Sequence, residues 1–307
     1  MQASMKKERK EIGTTLFLLI FLLLAVSHIA LVSEGIKKAL YLCGNAIIPT
    51  LFPFLILTDL LLSSKSTRKL LDALGRPLSK IFHLSAAGGT VFLLGALFGF
   101  PMGAKAIARY YPEGRISKEE AERLLLFSGN ASPFFLIGSV GTEMLSSSRM
   151  GVALYLLQLS VSVSCGILLG ILAPRADFSD KELPYHEKKS SFPAAVRGAV
   201  KQSLFISGYI LFFSAVLSMT LPYLPHPFLK TLFSSLLEIG NACALAANDK
   251  ALALPFCAFG ACFSGLSVYF QVLDCIEETD LDIKRYIPIK LLCGTAGFFL
   301  ALLPFFR

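Results

Sequence analysis

The sequence predicts an all-α polytopic membrane protein built as two inverted repeats with broken or re-entrant helices. Three observations predict it. The 307 residues are 54% hydrophobic and 16% charged, with mean hydropathy +0.65, more apolar than a soluble domain of this size tolerates. Runs approaching the roughly 20 apolar residues that span a bilayer occur at 14–32, 41–62, 151–173, 200–221 and 287–306. Breaks rich in Gly, Ser and Pro interrupt the apolar segments and recur in both halves of the chain. The organisation read from this is a basic segment with a first membrane helix (1–40), a first repeat with an additional helix (41–173), a charged cytoplasmic loop (174–192) and a second repeat (193–307).

Lys6, Lys7, Arg9 and Lys10 precede the first run, so a signal peptide is one reading of it. The run exceeds the usual ~7–15 residue apolar region and no clear small-x-small cleavage site follows, so it is read as a retained membrane helix. The net charge of +8 lies in loops beside apolar runs, where it sets orientation and does not indicate nucleic acid. Cysteines 43, 165, 243, 257, 262, 275 and 293 form no CxxC pair and the four histidines do not cluster. They point to neither a disulfide framework nor a metal site, and no cofactor is expected.

After the second run, KSTRKLLDALGRPLSKIFHL (65–84) places Leu70, Leu74, Leu78 and Ile81 on one face, with Lys65, Arg68, Lys69, Arg76 and Lys80 carrying charge. This is the pattern of an interfacial basic helix, interrupted near Gly75 and Pro77; an ordinary cytoplasmic loop is the plainer alternative. Lys and Arg in 63–85 and 174–201 place both segments in the cytoplasm, whereas the acid-rich loop 274–290 is assigned to the opposite side. FGFPMGAK (98–105) pairs with FGACFSGLS (259–267), and LLLFSGNASPFFL (124–136) with IKLLCGTAGFFL (289–300). Breaks at 99–103 and 129–133 are therefore expected to meet breaks at 260–265 and 293–297, as in inverted-repeat transporters.

Ser117-Lys118-Glu119-Glu120 has the form of a capping box that starts a helix near Lys118. Gly129 is a natural residue to end it, and Ser132-Pro133 is an N-cap followed by proline at the first helical position. SGNASP is thus a stop and a restart inside one membrane segment. Irregular backbone at that depth is tolerated only against protein or a water-lined cavity, and the new helix start suits an anion. Either Gly129, Asn130 and Ser132 form a substrate or ion site, or the segment is a proline kink satisfied by neighbouring helices. Upstream, Gly95, Gly99 and Gly103 recur every fourth residue and let another backbone approach closely. Lys105 and Arg109 share a face beyond Pro101, where they either hold carboxylates or snorkel to headgroups. In the second half, Glu238 and Asn241 flank Gly240, while Ser264, Ser267 and Gln271 surround Gly265. A carboxylate in an apolar stretch is by default a functional hypothesis, set against a surface Glu at the end of a short helix. Asn45 and Asp59 are weaker candidates near the ends of the second run.

FGFPMGAKAIARYY, SGNASPFF, LLEIGNACALA and GLSVYFQV resemble the YlbJ family of sporulation integral membrane proteins, over roughly residues 40–305. The resemblance implies paired Gate or nucleoside-recognition domains, matching the two repeats, and a distant similarity to concentrative nucleoside transporters. It implies a multi-pass protein of the mother-cell-derived outer forespore membrane that moves dipicolinate out of the mother cell. The chain departs from the family's usual pattern in carrying SGNASP where a second Asn commonly precedes the proline, and Tyr269 where a His is frequent. The substrate-binding set expected on motif and resemblance together is Lys105, Gly129, Asn130, Ser132, Glu238, Asn241, Ser264, Ser267 and Gln271. Expected partners are a small anionic substrate and the bilayer; a second copy or other sporulation membrane proteins stay open as protein partners. A nucleoside or other small-solute carrier and a non-transporting sporulation scaffold are the alternatives. No HExxH, GxSxG or paired intramembrane aspartate suggests an enzyme.

Overall fold

A computed structural model describes residues 2–173, 190–249 and 251–303; the charged loop expected at 174–192 lies outside them except at its last three residues. Among the described residues every regular element is helical. Ile29–Ser63, Ser148–Leu172, Phe192–Tyr223 and Ala253–Ile276 are long and apolar enough to cross a membrane, so the chain is a polytopic all-α membrane protein. Leu23, Leu156, Leu172, Leu204 and Leu292 stay exposed, because lipid tails give apolar side chains no reason to turn inward.

The first apolar run is divided. α1 (Gln2–Ser27) ends before His28, and α2 (Ile29–Leu42) continues through a π-helical turn, π1 (Cys43–Ile47), into α3 (Ile48–Ser63). At the division the Ser27 hydroxyl donates to the Leu24 carbonyl at 3.0 Å, the local competition with helix bonding that serine introduces. The basic segment forms α4 (Lys65–Phe82) without the interruption expected at Gly75 and Pro77. Proline removes the bond to the carbonyl of Ala73, and Ala73 lies on the exposed face, where solvent or headgroups can serve that carbonyl. Gly75 sits against the next helix, where an added Cβ would come within 2.5 Å of Thr90 N.

That next helix, α5 (Ala86–Phe98), meets α4 at a bend of 99°, followed by α6 (Met102–Tyr110) and α7 (Lys118–Phe127). Ser117 Oγ accepts from Glu120 N at 3.1 Å, the expected N-cap. The Glu120 carboxylate reaches across to Ser85, accepting from its N at 2.7 Å and its Oγ at 2.8 Å, so the start of α7 also fixes the start of α5. A π-helical segment, π2 (Phe134–Met144), then leads to α8 (Ser148–Leu172), α9 (Phe192–Thr220), α10 (Pro227–Leu237), α11 (Ile239–Ala246), α12 (Ala253–Phe263), α13 (Gly265–Ile276) and α14 (Tyr286–Leu300). The break expected at 293–297 is absent: α14 is continuous. Its small residues permit close packing instead, since a Cβ on Gly297 would lie 2.7 Å from Cys262 Sγ and one on Gly294 2.8 Å from Phe263 Cβ.

Polar contacts define one end of the bundle. Arg68 donates to both Glu113 oxygens at 2.5 and 3.2 Å, Arg109 pairs with Asp59 at 3.3 Å and Lys118 with Asp280 at 2.7 Å, and Asp282 N donates to Glu122 at 2.9 Å. Segments 63–85, 111–122 and 277–285 therefore share that end. This corrects the assignment of 274–290 to the side opposite 63–85. The acids of that loop are partners for nearby cations, and acidic residues carry little topological information. At the other end His28 bonds the Tyr223 hydroxyl, and the rings of Phe228 and Phe298 pack on Phe256 at 5.2 and 5.3 Å. α5 leaves the first end and α6 returns to it, a helical hairpin; α10 and α11 form a second helical hairpin, turned at Glu238.

Candidate functional site

Four interruptions converge inside the bundle. α5 and α6 are joined at Gly99–Pro101, α7 and π2 at 128–133, α10 and α11 at Glu238, and α12 and α13 at Ser264. Gly99 and Gly265 have φ of +80° and +79°, the left-handed region that glycine enters without steric cost. The hairpin tip lies directly on the SGNASP segment: a Cβ on Gly95 would meet Ser128 O at 2.0 Å, and one on Gly99 would meet Ser132 N at 2.6 Å. The glycine repeat thus brings the tip of one broken helix onto the backbone of another. Gly265 stands likewise against Leu237 O and Glu238 N, at 3.0 and 3.3 Å from its Cβ position.

SGNASP stops one helix and starts another. α7 closes with Ser128 N donating to Leu124 O at 2.8 Å, and Ser132 Oγ accepts from Phe135 N at 3.1 Å. Gly129 does not adopt the left-handed conformation expected of a helix-ending glycine. A side chain replaces that reversal: Lys290 Nζ donates to Gly129 O at 2.8 Å. Gln158 takes both backbone groups of Ala131, accepting from its N at 2.9 Å and donating to its O at 3.0 Å, while Ser162 Oγ donates to Phe127 O at 2.5 Å. These bonds meet the condition that irregular backbone at membrane depth finds partners in protein.

A cavity lies where the interruptions meet, lined by Thr50 of α3, Phe100, Ser132, Ile206 of α9, Glu238 and Gln271, with apolar neighbours between them. Its volume is about 50 Å³, room for a few waters. Glu238 is buried and caps α11, its carboxylate accepting from Gly240 N at 2.8 Å, Asn241 N at 2.7 Å and Asn241 Nδ2 at 2.7 Å. Asn241 also donates to Ser214 Oγ of α9 at 2.7 Å, which ties that cap to a spanning helix.

Of the nine residues proposed from sequence, Ser132, Glu238 and Gln271 line the cavity. Gln271 Nε2 donates to Ser267 Oγ at 3.3 Å, and Ser264 is fully buried at the adjacent break. Asn130 is turned back on its own helix end, donating to Phe127 O and Ser128 O at 3.4 and 3.3 Å, and Gly129 lies behind the Phe100 ring. Lys105 is not brought to the cavity. It is half-buried near the first end, under the influence of Asp59, Cys275 and Arg109, because α6 carries it from the break back toward the surface. Gln158 and Lys290 were missed. Lys290 had a readable signal, a cation inside the apolar run 287–306, but was counted with the preceding loop.

The fold and the cavity define a multi-pass membrane protein whose broken helices meet at a small, largely apolar cavity with Thr50, Ser132, Glu238 and Gln271 in its wall. The chain is 28% identical to the sporulation integral membrane protein YlbJ of Bacillus subtilis (strain 168), across 95% of its own length and 83% of that protein's. This likeness along nearly the whole chain supports its membership of the YlbJ family. No family model matches the chain, and no solved structure matches it.

Proposed function

We propose that the protein carries a small anionic solute across a membrane of the sporulating cell. The leading substrate is dipicolinate leaving the mother cell across the outer forespore membrane. The observation that carries this reading is the convergence of four helix interruptions on one cavity: a packed scaffold has no use for so much irregular backbone at membrane depth. The start of π2 at Ser132–Pro133 gives the cavity a helix N-terminus, which favours a negative group. The substrate itself rests on the family resemblance. The order long helix, helical hairpin, broken span, closing helix occurs twice, from α2–α3 to α8 and again from α9 to α14. We take the two halves, 41–173 and 193–307, as repeats of opposite orientation that rock about the cavity, with α4 an insertion in the first.

One feature of the cavity favours a second reading. Glu238 and Gln271 are suited to accept from and donate to hydroxyl groups, and a carboxylate repels a dianion, so a neutral polyhydroxylated solute such as a nucleoside fits this part of the wall better. Reconstituted liposomes separate the two. Labelled dipicolinate should cross only with the protein present, and unlabelled dipicolinate should compete better than uridine. Preferential competition by uridine would move the assignment to a nucleoside carrier, and the absence of flux for either solute would leave the scaffold.

A further inference from the structure

Lys290 and Tyr286 stand one turn apart on α14, an i, i+4 pair on one face, and both point at the break between α7 and π2. Lys290 is 4% exposed, within an apolar helix. Its ammonium has three donors; one reaches Gly129 O, and among the described residues no acidic side chain bonds it. The Tyr286 hydroxyl is buried with no hydrogen-bond partner. Gly129 leaves room for one methyl group beside Tyr286: a Cβ there would stand 3.8 Å from both Tyr286 Oη and the Phe100 ring. On its other side Phe100 forms part of the cavity wall. A buried cation with one neutral acceptor, beside a buried hydroxyl with none, is costly to maintain unless something else occupies these donors. Closing the negative end of α7 accounts for one N–H of Lys290. It does not account for the others or for Tyr286.

We propose that Lys290 and Tyr286 form a carboxylate-binding subsite. A carboxylate passing Phe100 takes the ammonium and the phenol hydroxyl together, and the Gly129 carbonyl is released or shared. The proposal rests on the anion-carrier reading and extends it: a dicarboxylate can set one group at the start of π2 and the other here.

The test is flux into proteoliposomes of labelled dipicolinate and of labelled picolinate, the same ring with a single carboxylate. For the wild type the dicarboxylate should have the lower KM. Tyr286→Phe removes a hydroxyl that bonds nothing in this structure, so it should fold as the wild type does. It should raise the KM for dipicolinate about tenfold, the loss of one hydrogen bond to a charged group, with Vmax and the picolinate KM little changed. Gly129→Ala, whose Cβ meets only ordinary contact distances, should do the same by filling that room, and Lys290→Arg should retain more of the preference than Lys290→Met. If Tyr286→Phe and Gly129→Ala leave the ratio of the two KM values unchanged, or the Lys290 variants lower Vmax equally for both solutes, Lys290 only closes a helix end and the subsite is overturned. If wild-type liposomes carry neither acid, the anion-carrier reading fails first and takes the subsite with it.

Discussion

Gln158 uses both ends of its side-chain amide on a single residue, Ala131, whose N–H and C=O were freed when the helix stopped. Gln158→Leu roughly keeps the volume and leaves both groups without a protein partner; at about 1–3 kcal/mol for each, the loss should be about 3 kcal/mol, read as a lower midpoint of thermal unfolding in detergent. Gln158→Glu, which still accepts from Ala131 N, should fall between the two; an unchanged midpoint for Gln158→Leu would show that water replaces the amide. Gly95→Ala tests the opposite fault, too much matter. Its Cβ would come within 2.0 Å of Ser128 O, and with backbone on both sides the overpacking should cost about 1–3 kcal/mol or more, whereas Gly208→Ala, which meets nothing within 4 Å, should be harmless. The contrast explains what could be read beforehand. Ser132-Pro133 announces a helix start because capping and proline chemistry are local. The partners that make the break tolerable, Gln158 and Lys290, are 27 and 161 residues away, and nothing local in the sequence specifies whom they will meet. Lys105 misled for the same reason: its distance from Pro101 along the chain was clear, but not that α6 turns back.

At the scale of elements, charge patterns proved easier to detect than to interpret. α4 carries exposed Lys69, Arg76 and Lys80 beside exposed Leu70, Leu74 and Ile81, as an interfacial helix should. Its buried face, including Arg68, Gly75 and Phe82, is committed to the hairpin, and this keeps the helix continuous where Gly75 and Pro77 suggest a break. The 277–285 loop docks on 111–122 through exposed ions. Hydrogen bonds from Lys118 and then Tyr111 hold the Asp280 carboxyl below the usual carboxylate range, and the bond to Asp280 pushes the Lys118 ammonium up. The sign follows from linkage: a lowered acid stabilises docking fully above its unfolded value and loses this as pH falls through the folded one; a raised lysine contributes fully below its unfolded value. Docking should therefore be constant through neutrality and weaken only below pH about 4. Protection factors over 277–285, with exchange corrected for its intrinsic pH dependence, should fall there and stay level between pH 5 and 9. Asp280→Asn should raise exchange at neutrality and lessen the acid step, and added salt should act in the same direction because the pair is exposed. A step near neutrality in the wild type would assign the docking to other groups.

For the whole molecule, the runs 41–62, 151–173 and 200–221 lie on helices long and apolar enough to cross a membrane, because hydrocarbon thickness sets run length and hydropathy together; 253–276 joins them without having been read as a run, and 14–32 and 287–306 fall on shorter apolar helices. The matching of the interruptions does not follow from run length or hydropathy. FGFPMGAK was set beside FGACFSGLS because both contain Phe and Gly, yet the first is the tip of a helical hairpin and the second the middle of a broken span. On the proposal that the halves are repeats, element order sets Gly99–Pro101 against Glu238 and SGNASP against Ser264–Gly265. If the halves are inverted about the cavity, single cysteines in an otherwise cysteine-free chain should label in a fixed pattern. Ser66→Cys and Glu278→Cys should react with an impermeant maleimide from one face of the membrane and Asn248→Cys from the other; labelling of all three from one face would remove the inversion. The cavity adds a requirement. With room for only a few waters, it cannot hold an aromatic dicarboxylate as it stands, so a carrier must pass through wider states open to each side in turn. Ser132→Cys and Gln271→Cys face this space from different halves, and their reactivity from the two faces should shift in opposite directions when a dipicolinate gradient is imposed. A scaffold has no such states, and reactivity at both positions that ignores the gradient, while flux is intact, would place the transport path elsewhere in the bundle.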